Sequence, residues 1–123
     1  MVLMCVFVVL AAITAKKRSQ GWLPRHRALA VTGVLCGLIG AGLMFYSKAS
    51  HGWPHFKTPH AIGGGIAVFL LLCTPALGYF SLKGKDSLRP VHRMLGRITG
   101  ILALLVLVTG IDKLLDHLGI LKD

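Results

Sequence analysis

The chain has 123 residues, of which 54% are apolar and only 15% charged, with a mean hydropathy of +0.72. A soluble domain runs at about 45–50% apolar and about 25% charged residues, so a water-exposed globule is a poor description of this composition. Fourteen basic against four acidic residues leave a net charge of +10. These charges cluster between long uncharged stretches instead of spreading among exposed aromatics along a soluble face, which argues against a nucleic-acid partner.

A membrane-crossing helix needs about 20 mostly apolar residues, with a usual range of about 17–25. The first candidate span covers residues 1–15 and is short but uninterrupted. Lys16, Lys17 and Arg18 follow it, whereas a signal peptide carries its positive charge ahead of the apolar run. A retained helix with its N-terminus outside is therefore expected. The connection Ser19 to Pro24 contains Trp22, suited to the membrane interface. The second span, 28–46, contains Gly33, Gly37, Gly40 and Gly42. In lipid such glycines let neighbouring backbones approach closely. The connection Ser47 to Pro59, with Trp53 and Pro54, is long enough to fold over the outer mouth of a bundle. The third span, 60–80, is interrupted by Pro75, which is expected to kink it. A polar connection, Lys83 to Val91, leads to the fourth span, 94–111, with Gly96, Gly100 and Gly110. The tail, 112–123, reads as a short amphipathic surface helix. No internal repeat stands out.

Charge orients these spans. Lys16, Lys17, Arg18, Arg25 and Arg27 share one connection, and Lys83, Lys85, Arg89, Arg93 and Arg97 another. Only Lys48 and Lys57 occupy the middle connection, with Lys113 and Lys122 in the tail. Basic loops stay on the cytoplasmic side. The expectation is one all-α membrane domain over 1–123, a four-helix transmembrane bundle with both termini on the non-cytoplasmic side. Cys5, Cys36 and Cys73 stand alone in apolar stretches. No C-x-x-C-H occurs, so covalent haem attachment is excluded.

The same topology sorts the six histidines. His26 and His92 open spans two and four at the cytoplasmic face, while His51, His55, His60 and His117 lie at the outer face. Haem b in a membrane bundle wants two neutral imidazoles from facing helices at one depth, with small residues beside them to admit a flat macrocycle. His92 has Gly96 and Gly100 on its own helix face, His60 has Gly63 and Gly64, and His26 has Ala30 and Gly33. The competing account is that each is an interfacial histidine satisfied by a hydrogen bond. Shared depth and alternate helices favour His26 and His92 as iron ligands. Arg25, Arg27, Arg93 and Arg97 flank the pair and suit haem propionates. Ordinary positive-inside anchoring explains at least some of them equally well.

The segments PHAIGGGIAVFLLLCTPALGYF (Pro59 to Phe80) and RPVHRMLGRITGILALLVLVTGI (Arg89 to Ile111) resemble two consecutive helices of the cytochrome b-561 family. Arg25 to Tyr46, opening at His26, is similar to the family helix that precedes them. The resemblance implies a transmembrane electron-transfer protein in which His26 and His92 hold one haem b. It also implies a second haem at His60, whose family partner comes from the helix corresponding to span one. That span has no histidine here, so the partner stays open among His51, His55, His117, another subunit, or none. The shortened chain resembles a bacterial relative that works inside a larger assembly.

The expected function is a membrane b-type cytochrome carrying one haem b or two. Its expected place is the bacterial inner membrane, as an electron-transfer subunit linked to other redox subunits and to quinone, oligomeric or not. The candidate cofactor-binding residues are His26, His92, His60, Gly96, Arg25 and Arg93. The alternative is a non-haem structural or assembly subunit. A small transporter fits less well, because all four carboxylates (Asp86, Asp112, Asp116, Asp123) lie in loops or the tail, leaving none within a span.

Overall fold

The computed structural model of the chain describes residues 1–119. It consists of α1 (Val2–Lys17), α2 (Trp22–Ser50), α3 (Pro59–Leu82) and α4 (Leu88–His117), with no strand among the described residues. The helices are apolar on every side and few of their residues are buried. A soluble bundle would hide one apolar stripe and expose a polar face, so all-round apolarity marks helices solvated by lipid. Leu35, Ile39, Leu43, Phe69, Ile101, Leu105 and Val108 all point outward. The protein is an integral membrane protein.

Three helices, α2, α3 and the Leu88–Leu115 part of α4, are long and apolar enough to cross a membrane. Helix α1 has 16 residues, about 24 Å at the α-helical rise, against a hydrocarbon core of about 30 Å. By length it falls short of the full crossing expected for residues 1–15. It packs instead as a short member beside α2 and α4.

The other helices outrun their expected spans at both ends. Helix α2 starts at Trp22 because Gly21, at φ 71°, lets the chain turn into it from the left-handed region. Pro24 then sits in the first turn, where a missing N–H has no partner to lose. Helix α3 opens on Pro59, with the Thr58 hydroxyl accepting from the Ala61 N–H at 3.2 Å. Pro75 does not end α3, which continues to Leu82. Nor does α4 stop at the fourth span. It continues to His117, so residues 112–117 extend it and no separate surface helix forms there; residues 120–123 of the expected tail lie outside the described residues.

The helices form a square. Helix α1 packs on α2, α3 on α4, α1 on α4 and α2 on α3, while the diagonal pairs α1–α3 and α2–α4 make no close backbone approach. A small core of Met4, Cys5, Leu71 and Ala103 ties all sides together at mid-height, backed by Val8, Val34, Cys36 and Leu107. Gly37 makes this crossing possible, since a Cβ there would lie 2.5 Å from Leu71 Cδ2 and 2.9 Å from Met4 Sδ. The connection after α2 folds back over that end of the bundle. Phe56 lies against Gly65 of α3, and His55 stacks on Phe45 of α2 at 4.0 Å.

Candidate functional site

His26 lies one turn into α2 and His92 one turn into α4, both half-buried and both at the end carrying the ten clustered cations. Across the α2–α4 diagonal their ring centroids are 6.2 Å apart, with planes at 86°. The rings span a gap that the two backbones leave open.

Each ring is held from behind. His26 Nδ1–H donates to the Ala11 carbonyl of α1 at 2.9 Å, and His92 Nδ1–H donates to the Thr74 carbonyl of α3 at 2.8 Å. A carbonyl only accepts, so the neutral ring must carry its proton on Nδ1. That leaves the Nε2 lone pair of each imidazole for another task. The same division of labour is the usual one for metal-binding histidines, where a carbonyl fixes the ring and makes the ligating nitrogen more basic.

The fit to haem can be tested on the ring spacing. Metal–nitrogen bonds of about 2 Å, with about 1.2 Å more from nitrogen to ring centre, set rings on opposite sides of one ion roughly 6.3 Å apart. The observed 6.2 Å agrees. Tautomer, spacing and the open diagonal all suit a bis-imidazole metal macrocycle; among the described residues no group of three or more His, Cys, Asp or Glu is placed to hold a bare metal ion.

Gly96, one turn beyond His92, faces α3: a Cβ there would rest 3.6 Å from Thr74 Cγ2, an ordinary contact. The glycine that makes room for the His92 ring is Gly78 on α3. A Cβ at Gly78 would stand 3.0 Å from His92 Cε1 and 3.2 Å from Nδ1. Arg25 and Arg93 are exposed neighbours of the two histidines at the rim. Buried Thr99 of α4 shares a hydrogen bond with the Thr74 hydroxyl at 3.1 Å, fastening α3 to α4 beside the ring pair.

His60 lies at the opposite end of the bundle, beyond the core. The Thr109 hydroxyl points its hydrogen to the Leu105 or Val106 carbonyl, so it accepts from His60 Nδ1–H at 3.0 Å. The His60 ring sits over Gly110, where a Cβ would be 3.0 Å from Cε1. No second imidazole ring touches it among the described residues. His55 stacks on Phe45, and His51 bonds the Ser47 carbonyl and packs near Trp53. The side chain of His117, another expected partner, lies outside the described residues.

Ala11, Thr74, Gly78, Thr109 and Gly110 escape a sequence reading. Four of them act through a backbone carbonyl or through the absence of a side chain, which no residue type announces. Thr-x-x-x-Gly on α3 is the only trace of the His92 seat.

Comparison with known proteins matches the profile of the family described as eukaryotic cytochrome b561 over residues 2–116. No curated protein and no solved structure matches the chain. The match covers nearly the whole sequence, including all four helices and the paired histidines, so the chain belongs to the cytochrome b561 family, membrane proteins that bind haem b and transfer electrons.

Proposed function

We propose that His26 and His92 would hold a haem b between α2 and α4, and that the protein passes single electrons at the cytoplasmic face. The observation that carries this is the facing pair of imidazoles, 6.2 Å apart, each with its Nδ1–H committed to a carbonyl. Haem b bound there supplies reversible one-electron chemistry. The chain's part is to keep both Nε2 atoms unprotonated, hold the rings at one spacing and exclude water with lipid-facing helices. Arg25 and Arg93, exposed beside the two histidines, would pair with the propionate carboxylates, and Gly96 leaves α4 without a side chain one turn beyond His92, toward Thr74 of α3.

The sidedness rests on the basic connections, which favour the inner leaflet of a bacterial cytoplasmic membrane for this haem and the far side for the C-terminus. His60 is the candidate holder of a second haem at the other end, and a partner imidazole would have to come from His117 or another subunit, since neither His51 nor His55 meets it. That arrangement would give electrons a path across the membrane and a quinol a place to react near Trp53 and His60. It also makes the chain a subunit of a larger redox assembly. A structural subunit without haem is the competing function, and the pairing of two imidazoles from different helices at 6.2 Å speaks against it, because histidines satisfied singly at an interface have no need to meet.

A visible spectrum of the purified protein tests the proposal. The expected result is a reduced-minus-oxidised haem b band that disappears in both His26→Ala and His92→Ala. A folded wild-type protein that takes up no haem when haem is supplied would establish the structural subunit instead.

A further inference from the structure

The iron ligands proposed above lie on α2 and α4, and α3 contributes none at that end. Even so, α3 touches the His92 ring more closely than any helix does. The Thr74 carbonyl holds Nδ1 at 2.8 Å, and Gly78, one turn later on the same face, is approached by the ring so closely that a Cβ would lie 3.0 Å from Cε1, 3.2 Å from Nδ1 and 3.5 Å from Nε2. Contacts of 3.0–3.2 Å are tighter than nearly all carbon contacts, so a Cβ there would oblige the stiff planar ring to move by a few tenths of an ångström. The turn is itself braced. Ser81, buried at 6% exposure, donates to the Gly78 carbonyl at 2.8 Å, and the Thr74 hydroxyl meets Thr99 of α4 at 3.1 Å. The glycine is not there for helix formation, in which alanine does better.

We infer that Thr74 and Gly78 form a positioning notch on α3 that sets the orientation and donor strength of His92, and through it the redox potential of the haem. The inference rests on His92 being an axial ligand. A hydrogen bond from Nδ1–H to a carbonyl pushes electron density toward Nε2, which stabilises the more highly charged, oxidised iron and lowers the potential. Filling the notch displaces the ring, lengthens that bond and raises the potential. His26, bonded to Ala11 on α1, is untouched by the change.

Two experiments test this. Gly78→Ala is expected to keep its haem, with a higher midpoint potential than wild type and a changed low-spin electron paramagnetic resonance spectrum, since that spectrum follows ring orientation. Gly42→Ala, where a new Cβ meets nothing within 4 Å, is the control and should match wild type in both. The second experiment does not depend on how Gly78→Ala folds. In His92→Gly protein, added imidazole and added 1-methylimidazole can both ligate iron, but only imidazole has an N–H to give the Thr74 carbonyl. Imidazole is expected to restore the spectrum at lower concentration and with the lower potential. Equal affinities and potentials for the two, with a wild-type potential in Gly78→Ala, would overturn the notch. A His92→Gly protein that keeps its full haem signal with nothing added would overturn the ligand assignment instead.

Discussion

The two ends of the α3–α4 pair treat their histidines in nearly the same way. His92, at the start of α4, lies on Gly78 near the end of α3. His60, at the start of α3, lies on Gly110 near the end of α4. In each helix the histidine and the glycine that serves its counterpart are separated by the same stretch of sequence, which runs about 27 Å along an α-helix. An antiparallel pair with that spacing puts one imidazole seat at each end. Sequence inspection alone finds no usable repeat, because the intervening residues differ and the match only has meaning once the helices are antiparallel.

The ends differ in what stands behind and opposite the ring. At the inner end the acceptor is a main-chain carbonyl, and a second imidazole faces the first at 6.2 Å. At the outer end the acceptor is a hydroxyl, and no described imidazole faces His60. The cause lies in α1. Its inner turns reach His26 and supply the Ala11 carbonyl, whereas its N-terminal residues stand level with Gly40, well short of the outer end of α2 at Ser50. The diagonal is therefore furnished at one end only.

The largest expected effect separates the ends outright. His92→Ala removes the haem b held with His26, while His60→Ala leaves that haem's band intact, read as haem per protein and as the reduced absorption maximum. Loss of all haem in His60→Ala would mean that the inner pair does not hold it alone, and the comparison between the ends would break down.

Next comes a change that should affect both ends together. Leu71 is 4% exposed and occupies the core between them with Met4. Leu71→Ala leaves a cavity and is expected to cost about 2–5 kcal/mol, measured as a lowered unfolding midpoint in detergent. A destabilised protein with both imidazole seats altered fits a shared core. An unchanged midpoint would show that the ends are held independently.

How much of this was legible beforehand follows from which groups carry it. The long spans stand out because lipid demands uninterrupted apolar stretches. His26 and His92 share a depth because each follows a basic connection and opens a helix. Ala11 was invisible: it is one small residue in an apolar run, and its contribution is a carbonyl. Gly96 looked like the spacer for His92 because it shares a helix face with it, but the ring leans onto the neighbouring helix, and packing between helices is not written in either one alone. Ala11→Leu makes the point testable. Ala11 is 4% exposed between α1 and α2, and overpacking there costs about 1–3 kcal/mol. The bulk pushes α1 off His26 and raises the haem potential, and the His60 seat stays as it was. A potential equal to wild type would remove α1 from the inner site.

The smallest effect isolates the outer acceptor. Thr109→Val keeps the side chain's shape and removes the oxygen that receives His60 Nδ1–H. One such hydrogen bond contributes about 0.5–1.5 kcal/mol net, and His60 is only half-buried, so water can replace part of it. The unfolding midpoint should move little. What changes is the tautomer: with no fixed acceptor, the proton is free to occupy either nitrogen, and nitrogen NMR of the labelled histidines should show His60 as a mixture where wild type shows one form. The inner haem band should not respond, because the core and about 27 Å of helix lie between. A single His60 tautomer in Thr109→Val would mean that something other than the hydroxyl aims this ring, and the likeness between the two seats would then end at the glycines.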